Sequence, residues 1–272
     1  MRDLESILQS FQLEPAGENR FRGSNVAVGH GVLFGGQVLG QAIVAALASQ
    51  PDKTAKTVHT VFARGGSSEA PVDIEVEAMS AGRSVASSVV SFSQAGRLCT
   101  RSVVLMTAAE PDLIRHSDPP PGITPPPPAP ASGEWEVSVV DGVDINDPDA
   151  VGPARLDVWT CFPGAPADAG MDQPLLAYAT DGFLIGTAMR PHAGVGQALA
   201  HRTLSTAVLS HTLTFHESFS AADWMLLRHE VPHTGGGRGY GRAHVFRTDG
   251  ALVASFVQDS MIRARPDGAG PL

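Results

Sequence analysis

The sequence predicts an α+β protein built from two similar halves. In each half an apolar helix is followed by several strand-like segments, and the order of these segments repeats. A long apolar helix followed by strands favours an antiparallel sheet wrapped around that helix, because each element buries an apolar face against the other. Two such units can pair their sheets edge to edge.

The first half begins with a short amphipathic helix and continues with a buried one. Apolar residues keep helical spacing at Leu4, Ile7, Leu8 and Phe11. The stretch from about 36 to 49 is apolar almost all round, which is typical of a buried helix. The strand-like segments that follow are VHTVFAR, VDIEVEAMS, SVASSVVSFSQ and LCTRSVVLMTA, and QAGR supplies a hairpin turn between the last two.

Residues 117–133, SDPPPGITPPPPAPASG, separate the halves. A segment this rich in proline can neither pair in a sheet nor continue a helix, so we interpret it as an extended linker. A ligand for a proline-binding module is the second interpretation, and no basic flank supports it. The predicted division is an N-terminal unit of residues 1–116, the linker, and a C-terminal unit of residues 134–272 that carries the functional site.

The second half repeats the pattern of the first. PLLAYATDGFLIGTAMRP predicts an apolar helix closed by proline, and the predicted strands are LSHTLTFHESF, WMLLRHEVP, GYGRAHVFRTDG and ALVASFVQDSMIR. The last hairpins of the two halves superpose without a gap at a shift of 154 residues, which matches Phe92 with Phe246 and Gly96 with Gly250. HTVF in the first half is likewise echoed by HTLTF in the second. The chain therefore looks like a tandem repeat.

Charge and composition exclude several classes of partner. The formal net charge is −9 and no run of lysine or arginine stands out, which argues against nucleic acid and anionic membrane surfaces. The longest apolar stretch, VLGQAIVAALA, is too short to span a bilayer, and the N-terminal residues lack the apolar core of a signal peptide. We therefore expect no stable membrane insertion and a cytoplasmic location. Cys99 and Cys161 lack C-x-x-C spacing and predict free thiols.

A collinear set of motifs covers most of the chain outside the linker and the 193–207 loop: FRG, FGGQVLGQAIVAA, GRSVASSVVSFSQAGR, LLAYATD, RPH, DWMLLRHEVP, GGGRGYGRAHVF and DGALVASFVQDSMIR. These segments resemble the acyl-CoA thioesterase II family. The resemblance implies a double hotdog fold and assembly into a homodimer or a larger homo-oligomer. It also implies an acyl-CoA substrate and hydrolysis of fatty acyl-CoA to a free fatty acid and CoA, a step of lipid metabolism.

The resemblance also implies the catalytic residues. The family uses an Asp in the second helix, a Ser or Thr on the next strand and a Gln on the last strand. Asp181 in AYATD and Gln258 in FVQDS match the Asp and the Gln, but Val208 occupies the hydroxyl position. Ser210 and Thr206 lie two residues either side and would point to the same face of a regular strand, so either is a candidate substitute. A shifted register after the long preceding loop would also explain the mismatch, and so would a slow or inactive site.

These residues suit thioester hydrolysis. An ionised Asp181 can take a proton from water, while Gln258 can accept a water hydrogen through its carbonyl or donate one through its amide. A backbone N–H near the start of the helix can stabilise the oxyanion. The thiolate leaves readily, so we expect no cofactor and no metal. A purely structural interpretation makes Asp181 the N-cap of a helix starting at Gly182, and has Gln258 bond the backbone of an adjacent loop.

The rival functions have weaker support in the sequence. No G-x-S-x-G elbow appears, which disfavours a serine hydrolase. Hotdog-type hydratases need an Asp and a His spaced on one helix and loop, and His192 lies eleven residues beyond Asp181. Val208 keeps open a catalytically weak or inactive protein of the same fold that binds acyl-CoA.

The glycines of FGGQVLG resemble a loop that leads into a helix, but they lack phosphate-binding spacing. We therefore interpret Gly35, Gly36 and Gly40 as structural residues that allow a helix to approach the sheet closely.

Overall fold

The computed structural model describes residues 3–26, 29, 31–117, 121–129, 132–166 and 169–265. The helices of these ranges are α1 (Leu4–Ser10), α2 (Gly35–Leu47), α3 (Ala169–Thr180) and α4 (Leu184–Met189). The strands are β1 (Glu14–Gly17), β2 (Arg20–Gly23), β3 (Thr54–Phe62), β4 (Val72–Ala81), β5 (Val85–Gln94), β6 (Arg97–Thr107), β7 (Glu136–Val139), β8 (Arg155–Cys161), β9 (Leu204–Phe215), β10 (Met225–Gly235), β11 (Arg238–Arg247) and β12 (Leu252–Ala264).

The strands form one continuous sheet in the order β1-β2-β4-β5-β6-β3-β9-β12-β11-β10-β8-β7. Neighbouring strands are antiparallel throughout. The pairing of β3 with β9 joins the two groups of strands and sets Thr57 opposite Thr214 and Val61 opposite Ser210. The expectation that the two groups pair edge to edge is confirmed.

The helices and the sheet share one apolar core. Helix α2 packs against β3, β4, β5 and β6, whereas α4 packs against β8, β10, β11 and β12. Helix α3 packs against α2, and this contact links the helices of the two groups of strands. The core includes Leu39 and Ile43 of α2, Tyr178 of α3, and Phe92 of β5, all fully buried. Helix α2 is buried almost all round, as its sequence predicts.

The glycines of α2 bring helices together. A Cβ atom on Gly36 would clash with the main-chain oxygen of Tyr178 in α3. A Cβ atom on Gly40 would clash with the ring of Phe11 and lie 3.0 Å from the main-chain oxygen of Pro174. The expectation of a close helix–sheet approach is wrong at these two positions, because α1 and α3 lie against the glycines.

The second apolar helix is divided, although PLLAYATDGFLIGTAMRP predicts a single one. Helix α3 ends at Thr180 and α4 begins at Leu184. Asp181 and Gly182 occupy the break. Glycine is a poor helix former, and the carboxylate of Asp181 bonds to α2. The break therefore places Asp181 beside the N-terminus of α2.

The hairpin turn QAGR has the geometry that its sequence predicts. Ala95 and Gly96 have φ angles of 48° and 72°. Two consecutive positive φ angles are typical of the two-residue turn that matches the twist of antiparallel strands. The turn joins β5 to β6, which pair as antiparallel strands.

The described part of the proline-rich segment lies against the C-terminal strands. Residues 121–129 form no helix or strand. Ile123 packs against a cluster that includes Trp159 and Phe246, and Nε1 of Trp224 donates a hydrogen bond to the Pro127 oxygen at 3.0 Å. Residues 118–120 and 130–131 of the predicted linker lie outside the described residues. The domain boundaries stay a prediction.

Cys99 and Cys161 are free and buried, as their spacing predicts. Across the described parts of the chain, none of the helices combines the length and the apolar character needed to cross a bilayer.

Candidate active site

Asp181 lies in the break between α3 and α4, beside the N-terminus of α2. Its Oδ2 atom accepts a hydrogen bond from the N–H of Gly36 at 3.0 Å. A Cβ atom on Gly35 would lie 2.7 Å from the same oxygen. Because a helix N-terminus carries partial positive charge and a donated N–H favours an anion, this position stabilises the ionised carboxylate.

The N-cap interpretation of Asp181 is wrong. Helix α4 has Phe183 as its N-cap residue, and no side chain caps it. Asp181 lies two residues earlier and bonds across to Gly36 instead. The carboxylate is therefore held by a distant part of the chain and not by its own helix.

Gln258 lies on β12 with its side chain buried on the face that meets α4. It is opposite His211 of β9 and Gly241 of β11. A Cβ atom on Gly241 would lie 2.6 Å from the side chain of Leu184, so α4 packs directly over this part of the sheet. The Oε1 atom of Gln258 lies 3.2 Å from Nδ1 of His211. A partner on the neighbouring strand thus offsets the cost of burying the amide.

His211 connects Gln258 with the residue that precedes Asp181. Its Nε2 atom lies 3.1 Å from Oγ1 of Thr180, and this hydroxyl donates to the Ala177 oxygen at 2.8 Å. Thr180 and His211 are fully buried, and Gln258 is 2% exposed. Burial lowers the pKa of His211 to about 4. The imidazole is therefore neutral near pH 7.

Aromatic rings line the inner side of this network. His211 stacks on Phe256 with ring centroids 5.3 Å apart. His229 meets Phe256 edge-on at 5.7 Å and lies 5.5 Å from Phe183. Burial also lowers the pKa of His229 to about 4. Electrostatic interactions are stronger among such apolar groups than in water. The direction in which the buried Gln258 amide points therefore affects its neighbours strongly.

A β-bulge interrupts β9 at the predicted hydroxyl position. Ser210 lies opposite Asp259, and Val208 lies opposite Ser260. Leu209 is therefore the extra residue, and an extra residue reverses the alternation of faces along a strand. Val208 consequently shares its face with Ser260, whose side chain is buried.

The structure does not bring Ser210 or Thr206 to Gln258. Ser210 points to the other face of the sheet, where its Oγ atom donates to Oδ2 of Asp259 at 2.9 Å in an exposed position. The expectation that Ser210 and Thr206 share one face is therefore wrong. Thr206 is buried opposite Ile262. Four residues separate Ile262 from Gln258, which is about 13 Å along a strand.

Sequence reasoning missed four residues that organise this site. His211 contacts Gln258, and Thr180 precedes Asp181 and contacts His211. Gly35 and Gly36 border the Asp181 carboxylate. The available signals were a histidine in the strand pattern HTLTF and the double glycine of FGGQVLG. Neither pattern reveals which distant residue it meets.

The chain matches known proteins along most of its length. Residues 24–108 match the model of the acyl-CoA thioesterase N-terminal domain, and residues 115–262 match that of the acyl-CoA thioesterase C-terminal domain. Acyl-coenzyme A thioesterase 8 of Mus musculus is 29% identical over 301 residues, which cover 97% of this chain and 91% of that protein.

Solved structures agree. The acyl-CoA thioesterase II TesB2 of Mycobacterium marinum is 30% identical with a TM-score of 0.79, and the alignment covers 97% of this chain and 99% of that one. A protein of Alicyclobacillus acidocaldarius described as having a hotdog fold is 19% identical with a TM-score of 0.70 over 95% and 98% of the two chains. That likeness supports the fold alone. The chain has an α+β hotdog fold and belongs to the acyl-CoA thioesterase II family of thioester hydrolases.

Proposed function

We propose that this protein hydrolyses fatty acyl-CoA to a free fatty acid and CoA with a water molecule activated by Asp181. The position of Asp181 carries the proposal. Its carboxylate is held by the N–H of Gly36 at a helix break, and the preceding residue is linked through His211 to the buried amide of Gln258. Membership of a thioesterase family supports the reaction.

In the proposed reaction, water attacks the thioester directly. Its oxygen forms a bond to the carbonyl carbon while Asp181 takes one proton. The tetrahedral intermediate then breaks its carbon–sulfur bond and releases the CoA thiolate, which takes up a proton. Gln258 holds the water through a second hydrogen bond. General-base catalysis of this kind contributes about 10²–10⁴-fold, and no covalent enzyme intermediate forms.

We retain Asp181 and Gln258 as the catalytic residues of this proposal. Thr206 and Ser210 enter it with less support, because one lies far along the strand and the other faces Asp259. The N–H of Gly36 is engaged by Asp181, so the oxyanion donor is expected among the remaining groups of the site.

We also propose that the chain consists of two hotdog repeats, residues 1–116 and 134–272, joined by the segment 117–133. The active site then belongs to the second repeat and takes the Gly36 N–H from the first. The proposal includes a cytoplasmic homodimer or larger homo-oligomer that acts in fatty acid metabolism.

The test is release of free thiol from acyl-CoAs of different chain length by the wild type and Asp181→Asn. Asparagine is nearly the same size but cannot take the proton, so we expect kcat to fall by at least about 10²-fold. Asp73→Asn is the matched control, because Asp73 of β4 forms an exposed ion pair with Arg22 of β2 and such pairs contribute little. Equal and negligible release from all three proteins would contradict the proposal.

A further inference from the structure

The contacts of Thr180 and His211 limit where their protons can be. Oγ1 of Thr180 lies 2.8 Å from the Ala177 oxygen and 3.1 Å from Nε2 of His211. Nδ1 of His211 lies 3.2 Å from the amide of Gln258. A carbonyl oxygen only accepts hydrogen bonds, so the single hydroxyl proton of Thr180 is committed to Ala177. The Thr180 oxygen is then an acceptor toward His211.

The tautomer of His211 follows from this commitment. Because the Thr180 oxygen accepts, Nε2 of His211 has to carry a hydrogen. A neutral imidazole has one N–H, so Nδ1 is then an acceptor. The fully buried ring stacks on Phe256, and burial keeps its pKa near 4. A doubly protonated ring is therefore excluded near pH 7.

The tautomer in turn sets the direction of the Gln258 amide. The oxygen and nitrogen of an amide have nearly the same shape, and hydrogen-bond partners decide which is which. With Oε1 facing an unprotonated Nδ1, two acceptors would oppose each other at 3.2 Å. All three contacts become hydrogen bonds when Gln258 turns its NH₂ group to His211. Its carbonyl oxygen then faces away from His211.

We propose that Thr180 and His211 are positioning residues that hold Gln258 as a hydrogen-bond acceptor for the attacking water. The proposal rests on the proposed function, in which Gln258 orients that water. A water that donates one hydrogen to Asp181 and the other to Gln258 directs a lone pair at the thioester carbon. The opposite amide orientation would donate into that lone pair and oppose the attack.

The tautomer is measured directly by nitrogen NMR of protein labelled with ¹⁵N-histidine, in which protonated and unprotonated ring nitrogens have distinct shifts. His211→Asn identifies the signals of His211 among the histidines. We expect the Nε2–H form in the wild type and a shift toward the Nδ1–H form in Thr180→Val, which removes the hydroxyl and nearly keeps its volume. An Nδ1–H form in the wild type would overturn the proposal, whether or not the protein hydrolyses acyl-CoA.

The kinetic test compares Thr180→Val and Thr180→Ser in the wild type and in Gln258→Met. We expect Thr180→Val to lower kcat roughly tenfold to hundredfold, the cost of misplaced reacting groups, with KM within about twofold because ground-state binding is unchanged. Serine keeps the hydroxyl and should restore turnover. In Gln258→Met the valine should cost nothing further, because coupled residues are not additive.

Three outcomes would contradict the assignment. Thr180→Val could keep full turnover, Thr180→Ser could lose as much as valine, or the loss could persist unchanged in Gln258→Met. Failure of the proposed function has a different signature, because wild type and Asp181→Asn would then release thiol equally while the tautomer measurement still gives its answer.

Discussion

Gly35 shapes the proposed active site because it has no side chain. A Cβ atom at this position would lie 2.7 Å from Oδ2 of Asp181 and 3.2 Å from the ring of Phe62. The first contact is with the end of a flexible side chain, which can turn away if it gives up its bond with Gly36. The space beside Gly35 therefore determines where the Asp181 carboxylate points. We expect the stability of the fold to depend little on this space.

Gly35→Ala should separate activity from stability. We expect kcat to fall about tenfold or more, because displaced catalytic groups lose much of their effect, while the free energy of unfolding changes by less than about 1 kcal/mol. Thiol release and urea unfolding measure the two quantities. Gly122→Ala is the control, since a Cβ there meets nothing within 4 Å. Unchanged kcat in Gly35→Ala would contradict this prediction, because it would show that the added Cβ does not displace the Asp181 carboxylate.

Val208→Thr should raise turnover. Val208 shares a face with Ser260, two residues along β12 from Gln258, so a threonine there returns a hydroxyl to the site with almost no change in volume. We expect a several-fold increase in kcat, with roughly 1–3 kcal/mol of stability lost if the hydroxyl finds no partner. Val85→Thr, on the exposed face of β5, is the control. Equal or lower turnover in a folded Val208→Thr protein would contradict this role.

The sequence predicts Asp181 and Gln258 by motif but not the residues that surround them. HTLTF resembles HTVF of the first half, and this similarity indicates a repeat but no function for His211. His59 is nevertheless exposed, whereas His211 is buried at the site. The bulge at Leu209 adds one residue to a strand and leaves no mark in the alternation of LSTAVLSHTLTF. Such details depend on the partner strand, so no single segment contains them.

The contact between α2 and α3 is a long-range feature that positions Asp181, the proposed base. Helix α2 meets the main chain of α3 at Gly36, and the same residue donates its N–H to Asp181. One glycine therefore serves both the packing of two helices and the placement of the carboxylate.

Gly36→Ala should destabilise the fold, unlike Gly35→Ala. Its Cβ would meet the Tyr178 main-chain oxygen and lie 2.6 Å from the Phe34 ring, and main chain inside a helix cannot turn aside. We expect a loss of roughly 1–3 kcal/mol in the free energy of unfolding, the usual cost of overpacking, measured by urea denaturation beside Gly122→Ala. Wild-type stability in Gly36→Ala would mean that α2 and α3 can separate freely.

The apolar segments of the first half were predicted well, whereas the short strands β1, β2 and β7 and the buried strand β8 were not. α1, α2 and β3–β6 lie where the pattern of apolar residues predicts them. β1, β2 and β7 have four residues each; β1 is exposed, and β2 and β7 are only partly buried, so no apolar alternation marks them. The helix break at TDG could have been predicted from Gly182, but the long apolar runs on both sides favoured one helix.

The continuous sheet makes the two groups of strands depend on each other. The β3–β9 pairing is central, with His59 Nδ1 2.7 Å from Oγ1 of Thr212 and Thr57 Oγ1 3.2 Å from Oγ1 of Thr214. Helices α2 and α3 contact each other on top of it. The proposed active site takes Asp181 from one group and the Gly36 N–H from the other, so it requires both groups to be folded together.

Phe92→Ala should therefore destabilise the C-terminal part of the sheet as well as its own strand. Phe92 is fully buried in β5, and removing such a ring costs about 3–5 kcal/mol. The tryptophans Trp135, Trp159 and Trp224 all belong to the C-terminal part, so their fluorescence reports on a region that Phe92 does not enter. If the sheet and the α2–α3 contact couple the two parts, fluorescence and far-UV ellipticity shift to the same lower urea midpoint.

Val85→Ala, on the exposed face of the same strand, should leave both midpoints near the wild type. A fluorescence transition that stays at the wild-type midpoint while the ellipticity splits into two steps would mean that the parts unfold independently, and that the Gly36–Asp181 contact is lost before the C-terminal strands unfold.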